Sequence, residues 1–294
     1  MRDAEYDRFG PWILEITDTD PLPPLFVPHL SGDETPQLSI KIPRKIERRN
    51  AHPGMNLYDY VVNLYQDDVL ILERFGDEVM THKFLYENIE SLCCREELLS
   101  GSLTLFMENR CFNLPFNTVS SDIIHRLVDL IRKGYIDTIL NKTITNQSEY
   151  TDKNLSFFFT GLLAVERIHN PELKVIASQT ETHLTSRKLS TFKKLFYKLV
   201  DKRLLESLHL SDGRELKIIS RGKTFKYRGQ AVYGKEIHYI LVKKITAVDW
   251  KENQKNPGVI DLSITTPGGI FPFSFMQNSS SLESYRRILQ QVIY

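Results

Sequence analysis

The feature of this sequence that most constrains its fold is an internal repeat, which covers residues 84–131 and 239–289. The step from a glycine to a Pro-Phe pair is 14 residues in both copies, and the step from that proline to a late helical isoleucine is 16 residues in both. The residues concerned are Gly101, Pro115 and Ile131 in the first copy and Gly258, Pro272 and Ile288 in the second. A unit of roughly 80 residues, counting its leading strands, is too long for a solenoid repeat and indicates a duplicated domain.

Each copy predicts a series of antiparallel strands that ends in one amphipathic helix. Apolar and polar residues alternate in the predicted strands, which is typical of a half-buried sheet. In the first copy the strands fall within 58–116, and the helix begins after Ser120-Ser121-Asp122 and ends at Gly134. In the second copy the strands fall within 215–275, with Gly222-Lys223 as a turn between strands 215–221 and 224–228. Ser280 and Glu283 have the spacing of a capping box for the last helix.

The repeat and its flanking segments predict four regions. These are an extended N-terminal arm (1–54), a first domain (55–134), a helical connector (135–208) and a second domain (209–294). The arm contains four prolines within 21–28 and predicts a strap anchored by Trp12, Leu25 and Phe26. In the connector, 155–168 predicts a helix, 173–177 a strand and 190–208 an amphipathic helix. The predicted fold class is α+β.

Composition places the chain among ordinary globular proteins. It has 294 residues, of which 41% are hydrophobic and 26% charged. No apolar run has the length needed to cross a bilayer, and the first residues lack the design of a signal peptide. Three cysteines suit a reducing compartment, and Cys93 and Cys94, adjacent on a predicted strand, face opposite sides of it. We therefore expect a cytoplasmic protein without a transmembrane segment.

The distribution of charge is strongly uneven. Residues 187–260 hold 18 Lys/Arg and 7 Asp/Glu, a net charge of +11, although the whole chain carries only +1. Such a basic region predicts either an anionic partner or pairing with the acidic remainder of the same chain.

A strand meander closed by one C-terminal helix resembles the pleckstrin-homology-like superfold, in the short form of bacterial PH and GRAM-like domains. The resemblance covers about 55–134 and 210–294, and it implies two partly open barrels or sandwiches that act as binding platforms rather than enzymes. Such platforms bind phosphoinositides in some members and proteins in many. The segments that carry it are Phe84-Leu-Tyr-Glu-Asn-Ile89, Leu114-Pro115-Phe116, Tyr239-Ile-Leu-Val-Lys-Lys-Ile245 and Phe271-Pro272-Phe273.

Lipid-binding members of this superfold carry a basic pattern across their first two strands, and only the second copy offers one. Several cations that converge on an open loop can coordinate phosphate oxygens. The first copy has Gln66-Asp67-Asp68 at the corresponding turn, which would repel phosphate. The alternative is that these cationic side chains lie on solvent-exposed faces of the strands and bind no anion. The candidate anion-binding residues are Lys217, Arg221, Lys223, Lys226 and Arg228.

The basic helix predicted at the end of the connector permits two interpretations. An apolar stripe bordered by lysines is the design of a helix that lies in a membrane interface, but a helix that packs between domains needs the same stripe. The candidate interfacial residues are Phe192, Lys193, Lys194, Phe196 and Lys198.

No motif in the sequence predicts catalysis, a metal or a cofactor. The segments that define zinc proteases, Cys-x-x-Cys sites and serine hydrolases are absent. Gly222-Lys223-Thr224 lacks the earlier glycine of a phosphate-binding loop, and the eight histidines are scattered.

The sequence therefore predicts a non-catalytic binding or scaffolding module, which recognises a protein or an anionic membrane surface through its basic second half. Under the second option it would associate peripherally with the membrane. A purely structural interaction subunit that does not bind lipid is the alternative. Nucleic-acid binding is the least favoured of these functions, and it would need exposed aromatic side chains along a basic stripe. The sequence does not define the oligomeric state.

Overall fold

The computed structural model describes residues 4–30, 34–137, 155–184 and 201–293. Contacts divide the chain into two compact units, each built from several segments. Unit 1 comprises Met1–Ile89, Leu99–Leu103 and Leu114–Leu140. Unit 2 comprises Glu90–Leu98, Thr104–Asn113 and Asn141–Tyr294. The boundary between the units thus cuts through the first copy of the sequence repeat.

Unit 1 contains a five-stranded antiparallel sheet whose spatial order follows the sequence. Its strands are β1 (Leu14–Glu15), β2 (Leu38–Pro43), β3 (Tyr58–Leu64), β4 (Asp68–Phe75) and β5 (Glu78–Leu85). The helices in its sequence range are α1 (Ala4–Arg8), α2 (Ser121–Asp137) and the short 3-10 helices Pro24–His29, Arg48–Asn50, Tyr86–Asn88 and Thr118–Ser120. The β-branched and aliphatic residues of β3 and β4 supply much of its core. The adjacent pairs Val61–Val62 and Ile71–Leu72 are all buried, so both faces of these strands are covered.

Residues from the predicted arm contribute β1 and β2 to this sheet. Of the predicted anchors, Phe26 is buried, whereas Trp12 is 48% exposed. Phe9 and Ile13 are buried instead, and the Ile13 amide donates a hydrogen bond to Ser120 Oγ at 2.9 Å. The prediction that Trp12 anchors the arm was therefore wrong, because the neighbouring Ile13 takes the buried position.

Unit 2 is organised by a seven-stranded sheet and a three-stranded sheet. The strands of the larger sheet are β6 (Ile89–Glu97), β7 (Ser100–Met107), β8 (Arg110–Asn117), β9 (Lys174–Gln179), β12 (Ser207–Ser211), β13 (Glu215–Ser220) and β15 (Lys235–Leu241). Their spatial order is β8-β7-β6-β15-β13-β12-β9. The smaller sheet contains β16 (Ala247–Glu252), β17 (Val259–Thr266) and β18 (Gly269–Met276), in that order. Strands β7 and β8 are each divided between the two units.

The remaining elements of unit 2 are short strands and helices. Strands β10 (Thr182–His183), β11 (Arg203–Leu204) and β14 (Phe225–Lys226) form a small third sheet. Among the described residues of this unit, the helices are α3 (Phe157–His169), the 3-10 helix Val242–Lys244 and α4 (Leu282–Ile293). The predicted connector helix at 155–168 is confirmed as α3. Residues 203–208, predicted as helix, instead contain β11 and the start of β12, so tertiary pairing overrides the helical pattern there.

The sequence repeat corresponds to a repeated order of elements. In the first copy four antiparallel strands (β2 to β5) precede a 3-10 turn, three further strands (β6 to β8) and α2. In the second half of the described chain, with the short strands β10, β11 and β14 set aside, β9, β12, β13 and β15 precede a 3-10 turn, then β16 to β18 and α4. The predicted α+β class is confirmed, and the sheets do not close into barrels.

The turn predicted at Gly222-Lys223 does not join two neighbouring strands. Strand β13 pairs with β12 and β15, whereas β14 pairs with β11 in a different sheet. The prediction of a hairpin here was wrong, since both edges of β13 are already paired, with the preceding strand β12 on one side and with β15 on the other. Consequently Lys217 and Lys226 do not lie on adjacent paired strands.

Gly134 does not end its helix, as the sequence predicted, but lies inside α2. A Cβ atom at this position would be 2.5 Å from the ring of Tyr86, which is itself buried. The glycine therefore allows close packing between the helix and the Tyr86 ring. Gly101, the repeat glycine of the first copy, is likewise covered by the ring of Phe116, while Gly258 has a φ of +85° in a turn.

We expect Gly134→Ala to lower the free energy of unfolding by about 1–2 kcal/mol, because overpacking outweighs the gain in helix propensity. Gly161→Ala provides the matched control, since Gly161 lies inside α3 and a Cβ there meets nothing within 4 Å. That control should raise the free energy of unfolding by up to about 1 kcal/mol. Urea denaturation of both variants measures the difference, and a stabilising Gly134→Ala would contradict this account of the packing.

Candidate functional site

A cavity of about 280 Å³ in unit 2 is the centre of the candidate site. It opens along β18 and is bordered by the loops around residues 204–207 and 220–224. Its buried lining residues include Phe271, Phe273 and His238, while Ile270 is 67% exposed and Lys223 is also exposed. The cavity therefore combines an apolar interior with a partly polar mouth, as ligand-binding sites do.

The repeated Pro-Phe motif lines a cavity in each unit. In unit 2, Pro272 and Phe273 line the cavity just described. In unit 1, Pro115 and Phe116 line a cavity of about 430 Å³. The Pro-Phe pair that marks the sequence repeat therefore lies beside a cavity in both copies.

Three side chains with donor atoms meet beside the unit 2 cavity. Strand register places His238 of β15 directly opposite Cys93 of β6, and Glu236 lies two residues earlier on the same face of β15. His238 Nε2 lies 2.8 Å from Glu236 Oε1 and 3.9 Å from Cys93 Sγ. Sequence reasoning missed this group because 145 residues separate Cys93 from His238 and no local motif connects them.

The surroundings set the charge states of this group. Burial alone would raise the pKa of the Glu236 carboxyl, but the hydrogen bond with His238 and the positive charges of His238 and Arg95 lower it below its usual value. Burial raises the pKa of the Cys93 thiol, and the nearby Glu236 carboxylate raises it further. At pH 7 the Glu236 carboxyl is therefore ionised, and Cys93 is a neutral thiol.

The cluster does not have the geometry of a catalytic triad. In a triad the nucleophile and the carboxylate bind opposite nitrogens of the imidazole, so that the ring can transfer a proton between them. Here Glu236 and Cys93 face the same nitrogen, Nε2. His238 Nδ1 is buried and has no hydrogen-bond partner among the described residues.

A second histidine, His209, lies in the core of unit 2. Its Nδ1 is hydrogen-bonded to the Tyr285 hydroxyl at 2.9 Å and its Nε2 to Ser207 Oγ at 3.1 Å. Aromatic rings surround it, with the Phe273 and Phe275 ring centroids at 5.2 and 5.0 Å. Full burial, reinforced by the charge of His238, lowers the pKa of His209 to about 3. His209 is therefore a neutral core residue whose two nitrogens are both satisfied.

Two of the predicted anion-binding residues hold helix α3 in place. Lys217 is buried and its ammonium forms an ion pair with Glu166 of α3. The Arg221 guanidinium lies 3.8 Å from the ring centroid of Phe158, also in α3, and 3.0 Å from a Glu206 oxygen. These two cations therefore have partners inside unit 2, and Lys217 in particular presents no charge to the surface.

The other three candidates lie nearer the solvent. Lys226 forms an ion pair with Glu181 at 2.6 Å, Lys223 Nζ is 3.6 Å from a Glu97 oxygen, and Arg228 is exposed. Only Lys223 lines the cavity. The structure thus brings Lys223 to the candidate site and separates Lys217 from it. The predicted interfacial residues Phe192, Lys193, Lys194, Phe196 and Lys198 lie outside the described residues.

Comparison with known proteins finds no family model that matches this chain and no curated protein that is similar to it. Among the described residues, no helix combines the length and the apolar character required to cross a bilayer.

Because the ion pair between Lys217 and Glu166 is buried, removal of the Glu166 charge should lower the stability of the fold strongly. We expect Glu166→Gln to lower the free energy of unfolding by about 3–5 kcal/mol, because the ammonium loses this partner inside the protein. Lys223→Met is the control, since the Lys223–Glu97 pair is exposed and its loss should cost less than about 1 kcal/mol. Chemical denaturation gives both values, and equal effects would contradict the structural role of Lys217.

The lowered pKa of His209 predicts loss of stability in acid. The unfolded protein takes up a proton at His209 below pH 6.5 whereas the folded protein resists it down to about pH 3, so protonation favours unfolding in that window. This group should lower the free energy of unfolding by up to about 1.4 kcal/mol per pH unit. Urea denaturation from pH 7.5 to pH 5 should show a smaller slope for His209→Gln and an unchanged slope for His169→Gln, which alters an exposed histidine. An unchanged slope in His209→Gln would contradict this prediction.

Proposed function

We propose that this chain is a non-catalytic binding module made of two pleckstrin-homology-like copies, and that the unit 2 cavity receives an apolar side chain of a protein partner. The observation that carries the proposal is the repeated Pro-Phe motif, which lines a cavity in both units. With the short strands β10, β11 and β14 set aside, four strands, a 3-10 turn, three strands and a helix follow one another in each half of the described chain, which is consistent with that superfold. As the sequence predicted, we place the protein in the cytoplasm.

The size and lining of the cavity support a side chain as the ligand. A cavity of about 280 Å³ lies at the lower end of the range for small-molecule sites, and it is large enough for an aliphatic or aromatic side chain. Phe271 and Phe273 supply the apolar contact, and the exposed Ile270 extends it to the surface. Buried apolar anchors in such pockets carry most of the binding energy of protein interfaces.

The state of the basic residues supports a protein partner over an anionic membrane. Lys217, Arg221 and Lys226 are paired with carboxylates of the same unit, so they do not converge on a free phosphate site. Lys223 is half exposed at the mouth of the cavity and has a longer contact, 3.6 Å, with Glu97, so of these candidates it is the one placed to meet a ligand there. We therefore expect the partner to carry an acidic residue next to the apolar residue that enters the cavity.

Selection from a random peptide library displayed on phage tests this function. Peptides enriched by the wild-type protein should share an apolar residue beside Asp or Glu. A synthetic peptide of that sequence should bind Ile270→Glu about tenfold or more weakly, a loss of at least about 1.4 kcal/mol. Ile168→Glu, which alters an exposed apolar residue of α3 away from the cavity lining, is the matched control and should bind as the wild type does.

Vesicle binding distinguishes the peptide proposal from binding to an anionic membrane. Co-sedimentation with phosphatidylcholine vesicles, with and without phosphatidylserine, should show no selective binding under the peptide proposal. The Lys223→Glu/Arg228→Glu variant reverses two exposed cations and should keep the fold. Selective binding to the anionic vesicles that this variant abolishes would overturn the peptide proposal in favour of the membrane.

A further inference from the structure

The group formed by Cys93, Glu236 and His238 has the composition of a transition-metal site. It offers one thiol, one carboxylate and one imidazole, and the three donor atoms all lie within 4.8 Å of one another. Sulfur and imidazole ligands favour zinc and related ions over magnesium or calcium, which prefer oxygen. The group borders the cavity assigned above to peptide binding, but its chemistry depends on these donor atoms and not on the apolar lining.

The distances agree with tetrahedral coordination. Zinc lies about 2.3 Å from sulfur and about 2.0–2.2 Å from nitrogen or oxygen, so its ligand atoms are roughly 3.3–3.6 Å apart. The two distances that involve His238 Nε2 are 2.8 Å to Glu236 and 3.9 Å to Cys93, on either side of this range. Small side-chain rotations would therefore bring all three donors around one ion.

The sheet holds the ligands in place. Cys93 and His238 face each other across the β6–β15 ladder, and Glu236 follows the same face of β15. The His238 ring is fixed by edge-to-face packing on Phe271 and Phe273, with ring centroids at 5.6 and 5.4 Å. This packing orients the imidazole in place of the hydrogen bond to the second ring nitrogen that ligating histidines usually make.

The charges of the group suit a divalent cation. A Cys93 thiolate and the Glu236 carboxylate together balance a charge of +2. Arg95 Nε lies 3.9 Å from Glu236 Oε2, which is the carboxylate oxygen that does not bind His238, so Oε1 remains directed at the site. Lys223 lines the same cavity but is directed toward Glu97 at 3.6 Å.

We propose that Cys93, Glu236 and His238 bind a divalent transition metal of the zinc type, with a fourth coordination position open to the unit 2 cavity. Glu236 and His238 both line that cavity, so a water molecule or a donor atom of a ligand can reach the ion. Three protein ligands and one open position distinguish such a site from a closed structural zinc site.

Titration of the metal-free protein with Co²⁺, followed by absorption spectroscopy, tests the proposal. The wild type should bind one equivalent, develop a thiolate-to-cobalt charge-transfer band in the near ultraviolet, and lose it when Zn²⁺ is added. The band should be absent in Cys93→Ser and retained in Cys111→Ser, which alters an exposed cysteine. Glu236→Gln should weaken binding by roughly 10- to 100-fold or more, since even groups next to metal ligands have effects of that size.

A second measurement does not depend on cobalt spectra. Isothermal titration calorimetry with Zn²⁺ should show one site in the wild type and in Cys111→Ser, and binding at least about tenfold weaker in Cys93→Ser. Wild-type protein without a thiolate band, a band that persists in Cys93→Ser, or equal Zn²⁺ affinity in the wild type and Cys93→Ser would each overturn the metal site. Ile168→Glu, which alters an exposed residue outside the cavity lining, should bind Co²⁺ as the wild type does. Neither metal measurement involves a peptide, so a failure of the metal site is distinguishable from a failure of the peptide experiment.

Discussion

The antiparallel pairing of β6 with β15 is the interaction on which the organisation of unit 2 depends. It runs from Lys235 opposite Glu96 to Ile240 opposite Ser91 and joins a strand of the first sequence copy to the sheet of the second. A shift of one residue in this register would turn every side chain of β15 to the other face. The same register aligns Cys93 with His238, so one set of backbone hydrogen bonds determines both the sheet and the candidate metal site.

Among the described residues, several cations of the basic stretch are paired inside the fold. The basic stretch supplies Lys217 and Arg221, which attach α3 through Glu166 and the aromatic ring of Phe158. Lys226 and Arg203 both bind Glu181 and so stabilise the small sheet that contains β11 and β14. Cations that are close in the sequence are thus not all free in the folded unit. Whether one of these residues binds an anionic ligand or stabilises the fold depends on its own ion-pair partner.

The sequence predicted what depends on local pattern. The repeat, the α+β class, α3 and the strands of the meanders follow from alternation and turn residues within short windows. It failed where tertiary contacts override the local pattern. Strand β13 pairs with β12 and β15 instead of β14, and Gly134 packs on the ring of Tyr86 instead of ending α2. The candidate metal group could not be predicted for the same reason. Cys93 lies far from Glu236 and His238 in the sequence, and only the register of β6 and β15 brings the three residues together. The burial of Lys217 was also hidden, since a lysine on a strand gives no sign of a glutamate 51 residues away.

The pairing of β6 with β15 also has a consequence in time. Cys93 and His238 are opposite each other in the sheet but 145 residues apart in the chain. At a synthesis rate of about 5–20 residues per second, the ribosome needs roughly 7–30 s to make the chain between them. During that interval the edge of β6 that will receive β15 carries unpaired amide and carbonyl groups, which can recruit a strand from another nascent copy. The growing polypeptide is therefore most vulnerable to misassembly before its second half has left the ribosome.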